Sequence, residues 1–271
     1  MNYDHYLDLI EKEKYEEATT YKSSCIPDVL YKYFWLDDNK EMNELRLSTL
    51  ERGELYLSTL DQFNDPFEGK AFVFEDDNTA PKGLQKEDCQ NFINQINSHA
   101  RICCFANPNE KHQNMPMWAY YANNHKGFCV EYELTEFHKK FIYPVSYSPY
   151  RVTGNAFIGN LILGIIDMIK KGLSPIEMPG NVSVYNHLVY LSLTCKHLSW
   201  QHEKEFRALV PTTFGNFFPI IPCKIYLGMN ISHDNEKRLL DIANKFTNCK
   251  LYRMADTLDN NKFDLNQINL Y

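Results

Sequence analysis

No stretch of this 271-residue chain is long and apolar enough to cross a bilayer. The longest apolar run, Phe157 to Met168, is broken by Gly159, Asn160, Gly164 and Asp167, whereas a spanning helix needs about 20 apolar residues. No apolar segment follows Met1: the first residues are charged and rich in tyrosine. Neither a signal peptide nor a membrane partner is expected, and the cytoplasm is the expected compartment. The eight cysteines, Cys25, Cys89, Cys103, Cys104, Cys129, Cys195, Cys223 and Cys249, contain no C-x-x-C pair, and no H-x-x-x-H or H-E-x-x-H spacing occurs. Zinc sites draw on such short spacings, so no metal is expected and the cysteines read as reduced, mostly buried small hydrophobes. Basic residues are scarce as well. Lys and Arg number 28 against 35 Asp and Glu, a net charge of -7, which argues against sequence-independent nucleic-acid binding. A local exception is Lys196, His197, His202, Lys204 and Arg207, close enough in sequence to form a basic groove. Internal repeats and low-complexity tracts are absent.

What is present is ample core material, 44% hydrophobic and 14% aromatic residues, in a length that suits one large domain. Residues 2–21 read as a charged helix with Tyr6, Leu7, Ile10 and Tyr15 inward, making 1–24 a helical appendage to a single domain over 25–271. Val29–Trp35 reads as the first strand. Asp37, Asp38 and Asn39 offer N-caps for a helix over 40–52 that Gly53 terminates. Strands follow at 55–58, 71–74, 101–105, 128–132 and 143–147, with helices at 85–98 and 155–171. Polar loops are expected at 76–83 and 107–114, a linker at 172–181 and a helix at 183–195. The order strand 224–227, helix 235–246, strand 250–253 suggests a right-handed βαβ crossover. Strands and helices without strict alternation indicate α+β.

Three motifs carry the chemistry. Phe63-Asn64-Asp65-Pro66-Phe67-Glu68-Gly69 ends the strand Leu55–Ser58 with a strong turn signal, because Asn and Asp bond nearby amides and Pro fixes φ. The two phenylalanines can anchor this turn to a core, placing Asn64, Asp65 and Glu68 on a braced loop. Met117-Trp118-Ala119-Tyr120-Tyr121-Ala122 reads as a short helix stopped near Gly127, with Trp118 and Tyr120 as core residues. In Trp200–Val210, period two puts Phe206, Ala208 and Val210 on one face and Glu203, Glu205 and Arg207 on the other. Such charges are expensive to bury unpaired, so they form an exposed edge, a paired structural cluster or an active-site wall.

Taken with Tyr31-Lys32-Tyr33, these motifs resemble, over residues 29–228, the bacterial family called domain of unknown function 2971. More distantly, the order of elements is similar to the ADP-ribosyltransferase fold: an aromatic-basic first strand, a helix ending in Gly53, a strand ending in Ser58 and a late strand carrying a Glu. That likeness implies a split, mixed sheet with surrounding helices that grips NAD, as substrate, in a central cleft. It implies Glu205 as the catalytic carboxylate with Glu203 placing the acceptor. Tyr31, Lys32, Tyr33, Ser58, Asn64, Asp65 and Arg207 would then bind NAD, with Tyr31 and Tyr33 equally able to supply the first-strand aromatic. It further implies a role in bacterial conflict or regulation, with a protein, nucleic acid or small molecule as acceptor.

The residue types suit that chemistry. Cleaving the nicotinamide–ribose bond passes through an oxocarbenium-like centre, which calls for a carboxylate close to the ribose. Aromatic faces can stack nicotinamide and exclude water, and Tyr31, Tyr33, Trp118 and Tyr120 are the candidates, although Trp118 and Tyr120 are expected to be mainly structural. Three alternatives compete. The first is a salt-bridged Glu205–Arg207 face lying under the N-terminal helix. The second is hydrolysis by a metal on Asp65, Glu68, His125, Glu203 and Glu205 or by a Cys104–His125 pair. The third is a non-catalytic nucleotide- or protein-binding module, which the 18 tyrosines would suit because Tyr joins apolar area to a polar tip.

Overall fold

The computed structural model describes residues 1–12, 14–75, 83–107, 114–172, 192–256 and 265–270. The first half contains α1 (Tyr3–Glu11), α2 (Tyr15–Ser24), β1 (Val29–Phe34), α3 (Lys40–Glu51), β2 (Glu54–Tyr56), β3 (Phe72–Val73), α4 (Lys86–Ser98), β4 (Ala100–Ala106), α5 (Met115–Tyr121) and β5 (Phe128–Glu133). It continues with α6 (Glu136–Phe141), β6 (Ile142–Pro144), β7 (Ser146–Ser148), β8 (Val152–Thr153), α7 (Asn155–Lys170), β9 (Cys195–His197) and β10 (Glu205–Pro211). Last come β11 (Phe217–Pro219), β12 (Pro222–Leu227), α8 (His233–Ala243), β13 (Lys250–Asp256) and β14 (Leu265–Asn269). The fold is α+β, and no described helix is long and apolar enough to cross a membrane.

Eight strands form one mixed sheet in the order β14-β13-β12-β5-β1-β4-β10-β6. The expected crossover is present, with β12 and β13 parallel around α8. Pairing across the sheet is uneven. β1 runs fully along β5 from Val29↔Glu133 to Phe34↔Phe128, and β4 runs fully along β10 from Ala106↔Glu205 to Ala100↔Pro211. Between these two halves, β1 and β4 pair among the described residues at Tyr31↔Ala106 alone. From that rung towards Phe34 and Ala100 the two strands part.

Alternation sorts the strand residues between two cores. Leu30, Cys103, Phe105, Val130, Phe206, Ala208, Val210 and Ile225 pack with Leu47 and Leu50 of α3 and Leu239 and Ile242 of α8. On the opposite face, Tyr31, Tyr33, Cys129 and Tyr226 are covered by Met117, Trp118 and Ala122 around α5. The end of α5 is pinned by backbone. Asn123, Asn124 and His125 all take positive φ, and Gly127 passes so close to β1 that a Cβ there would lie 1.9 Å from the Phe34 carbonyl. Only glycine fits at that point.

Several expectations are corrected. The N-terminal helix is two helices, and the buried Lys22 ammonium donates to the carbonyls of Lys139, Lys140 and Ile142 at 2.9, 2.8 and 3.1 Å. β2 stops at Tyr56 and pairs with β11. Phe67 does not anchor its turn, being 56% exposed. Tyr120 is not a core residue but 62% exposed. It lies two positions beyond Trp118, about 200° around a helix that has one face on the sheet. The span 200–210 is not one strand: Leu198–Glu203 forms a 3-10 helix and Lys204 takes φ 45° before β10 begins. The expected polar loops at 76–83 and 107–114, the linker at 172–181 and the helix at 183–195 fall largely outside the described residues.

Trp118 is wholly buried, edge-on to Tyr33 at 5.2 Å and stacked on His125 at 5.6 Å. Trp118→Ala is expected to cost about 3–5 kcal/mol by leaving an unfilled cavity. Urea denaturation measures this, and an unchanged midpoint would return Trp118 to a ligand-binding role.

Candidate functional site

The opening between β1 and β4 contains a cleft of about 100 Å³. Tyr31, Ala106 and Glu205 lie abreast in one cross-strand row, so their side chains emerge on the same face. Tyr31, Lys32, Tyr33, Asn64, Glu68, Met117, Tyr121, Lys196, Glu203 and Glu205 line the cleft. Where the strands part, backbone polar groups of β4 lose a ladder partner. Lys32 reaches across and donates to the Cys104 carbonyl at 3.2 Å.

The floor is a buried ion-pair network centred on Arg207. Its Nε donates to Glu205 Oε1 at 2.8 Å and Nη2 to Glu205 Oε2 at 3.1 Å. Nη1 and Nη2 grip Glu68 Oε2 and Oε1, both at 2.7 Å, and Nη1 also donates to the Leu193 carbonyl at 2.5 Å. A guanidinium has five N–H donors, and all of them are thereby engaged. Lys196 completes the network, donating to Glu203 Oε2 at 2.5 Å and Glu205 Oε2 at 3.3 Å. Tyr121 donates its hydroxyl to Glu203 Oε1 at 2.5 Å.

Burial alone would raise the Glu205 pKa. The charges of Arg207 and Lys196 and the hydrogen bonds from Arg207 and Cys104 outweigh it and bring the carboxyl down to about 2. Burial likewise disfavours charge on Lys196, but Glu205 and Glu203 overrule it and raise its pKa. The Cys104 thiol is pushed well up by burial and by Glu205, so it acts as a protonated donor to that carboxylate. That environment is wrong for a cysteine nucleophile. The carboxylates of Glu68, Glu203 and Glu205 do converge, but on Lys196 and Arg207. His125 is stacked on Trp118 instead of joining them, and among the described residues no group of His, Cys, Asp and Glu forms a metal-ligand set.

The structure thus brings Tyr31, Lys32, Tyr33, Asn64, Glu203 and Glu205 to one cleft and leaves three of the sequence-selected residues outside its lining. Ser58 spends its backbone on Ile102 of β4. Asp65 is buried and accepts from the Phe67 amide at 2.9 Å, shaping the turn. Arg207 lies behind the carboxylates with no donor left for a ligand. Glu203 faces the cleft from the end of the 3-10 helix, not from the strand. Lys196 and Arg207 belong to the ion-pair network, so of the expected basic groove these two bring no uncompensated charge. The salt-bridged Glu205–Arg207 face exists, with Glu68 and Lys196 as its partners in place of the N-terminal helix.

Two contributors escaped the sequence reading: Tyr121, one position beyond the aromatic chosen on α5, and Lys196 as a partner of carboxylates. A second buried carboxylate, Glu131, joins the site through Tyr31. It accepts from the hydroxyls of Tyr31 and Tyr226 at 2.9 and 2.7 Å and from Lys224 at 2.6 Å. Comparison of the chain with family models, curated proteins and solved structures gives no match.

Because the folded-state pKa of Glu205 is depressed to about 2, its stabilisation is full above its ordinary pKa near 4.5 and is lost as pH falls towards 2. The expected loss is on the order of 3 kcal/mol. The stability gap between wild type and Glu205→Gln, which does not titrate, should therefore close between about pH 5 and pH 2. Urea denaturation across that range tests it, and a gap independent of pH would contradict the ion-pair geometry.

Proposed function

We propose that this protein is an ADP-ribosyltransferase-like enzyme of a bacterial conflict or regulatory system, sharing the motifs of the domain of unknown function 2971 family and acting in the cytoplasm. The reading takes NAD as substrate, with the nicotinamide ribose in the cleft at the sheet opening. The observation that carries it is the position of Glu205: an ionised, buried carboxylate in the same cross-strand row as Tyr31, at the one point where the sheet parts.

In this mechanism the bond between the ribose C1′ and the nicotinamide nitrogen breaks, and the bonding pair leaves with neutral nicotinamide. Positive charge develops on the ribose at C1′ and its ring oxygen. Three carboxylates, Glu68, Glu203 and Glu205, face two cations, Lys196 and Arg207. Lys32, which lines the same cleft and interacts with Glu205, evens the count, so what meets the developing cation is the Glu205 carboxylate at close range, held in fixed geometry before the reaction begins. Tyr31, Tyr33 and Tyr121 supply aromatic walls that limit water. An acceptor nucleophile then bonds to C1′ and releases its proton to water. Glu203 has both oxygens engaged by Tyr121 and Lys196, so it positions those two groups and is not the base that activates the acceptor.

One observation favours the alternative, a non-catalytic nucleotide- or protein-binding module: both oxygens of Glu205 already accept bonds from Arg207. Incubation of purified protein with NAD, with mass spectrometry for free nicotinamide, separates the two. Glu205→Gln is expected to lower nicotinamide release by on the order of a hundredfold or more. The substitution also takes a carboxylate partner from both Arg207 and Lys196, so the sequence expectation of nearly intact folding gives way to a loss of stability, and circular dichroism must accompany the assay. Asn64→Ala, at an exposed cleft position, keeps the fold and should raise KM for NAD. NAD binding without nicotinamide release would establish the binding module, and absence of both would end the NAD reading.

A further inference from the structure

Beside the cleft lies a second, larger cavity of about 510 Å³. The two share Lys196 as a wall, and the Asn64–Phe67 turn divides them: Asn64 lines the cleft, whereas Asp65, Pro66 and Phe67 line the groove. The cleft has room for a single small ring, so any larger ligand entering it must extend into a neighbouring space. The groove is the neighbouring space joined to it through Lys196.

The lining of the groove is chemically distinctive. Lys70 and Arg151 face it, and neither takes part in an ion pair among the described residues, in a chain with net charge -7. Other exposed lysines among the described residues also lack an acidic partner, but Lys70 and Arg151 converge on one groove, where the two together can meet an anion. His197 adds a third donor. Its Nδ1 accepts from the Ser199 amide at 3.3 Å, which leaves the proton of a neutral ring on Nε2. Aromatic surface lies among these donors. Tyr150 is 80% exposed and Phe67 is exposed, Arg151 lies 5.1 Å over the Phe67 ring, and Lys196 lies 4.8 Å over Trp200. Flat apolar faces interleaved with cations are what a base carrying phosphates requires.

We propose that this groove binds a phosphorylated nucleoside, the ADP half of the dinucleotide whose nicotinamide ribose occupies the cleft; this rests on the NAD reading above. Lys70 and Arg151 hold the diphosphate, and Trp200 and Tyr150 flank the base. A dinucleotide then straddles the Asn64–Phe67 turn, with Lys196 between its halves.

The test uses the full chain with ADP, in the absence of NAD. ADP should bind, adenosine should bind at least tenfold more weakly, and ADP affinity should fall with added salt. The double variant Lys70→Ala/Arg151→Ala, at exposed positions, should keep the wild-type circular dichroism spectrum and lose ADP affinity tenfold or more. Trp200→Phe should remove the change in tryptophan fluorescence that ADP produces. Equal ADP affinity in wild type and double variant, or no ADP binding at all, would overturn the proposal. So would tight binding of a single-stranded oligonucleotide that ADP does not displace. The two readings fail separately. ADP binding that depends on Lys70 and Arg151, with no nicotinamide release from NAD, upholds the groove and sinks the transferase. Nicotinamide release with a KM for NAD unchanged in the double variant upholds the transferase and sinks the groove.

Discussion

A buried guanidinium is the constraint around which the site is organised. Arg207 is wholly inaccessible, cannot lose its proton, and presents five donors in a rigid plane. Each donor without an acceptor would cost stability. One carboxylate on the same strand, Glu205, satisfies part of that demand, and the rest must come from elsewhere in the chain. It comes from Glu68, on the turn that follows Ser58, and from the Leu193 carbonyl just before β9. The guanidinium thus ties the Asn64–Gly69 turn to β10 and converts it into a wall of the cleft. Replacing Arg207 by Lys would leave a single point charge where two bidentate grips now act. Such a network is a weak source of net stability, but it fixes which surfaces meet.

The opening in the sheet follows a related logic. Strands that part must find other partners for their amides and carbonyls. β1 keeps a full ladder to β5 on one side, and on the other Lys32 donates to a β4 carbonyl. The space that remains is bordered by residues from both half-sheets, so a ligand there touches β1, β4 and the start of β10 at once. Glu131 and its tyrosine partners stiffen the β1 side: the Tyr31 hydroxyl is bound to a carboxylate on the neighbouring strand, which fixes the ring that faces the cleft.

What could be read from the sequence divides along physical lines. Period two assigned Phe206, Ala208 and Val210 to the core and Glu205 and Arg207 to the opposite face, because that alternation is a property of the backbone alone. The Asn-Asp-Pro turn was legible for the same kind of reason: Asp65 bonds an amide two residues on. Period two extends the strand to Glu203, whereas Lys204 takes a left-handed conformation without being glycine and ends it there, and nothing local announces that. Lys196 was grouped with nearby bases because sequence supplies charges without their partners. Periodicity does not separate Tyr120 from Tyr121, because a seven-residue helix is too short to fix its phase. β14, Leu265–Asn269, escaped notice because its polar, largely exposed sequence lacks the alternation of a half-buried strand.

These features also bear on what kind of carboxylate Glu205 is. A glutamate free in a pocket would present a bare charge, and its pKa would rise with burial until it was protonated. Arg207 and Lys196 prevent this, keeping the group ionised in a dry setting, but they also neutralise much of its field. The cation-stabilising potential beside the cleft therefore belongs to the whole cluster and arises from where its charges lie, with Lys32 balancing their number. It depends on Glu68 and Glu203 as much as on Glu205. A ribose at the rim would meet a field set in advance by groups that have little freedom to reorient, which is the condition under which electrostatics lower a barrier most effectively. The same rigidity makes the site intolerant: removing any one carboxylate takes a charged partner from a buried cation. Chemistry and structure are coupled here through Arg207, and no substitution at Glu205 alters the one without the other.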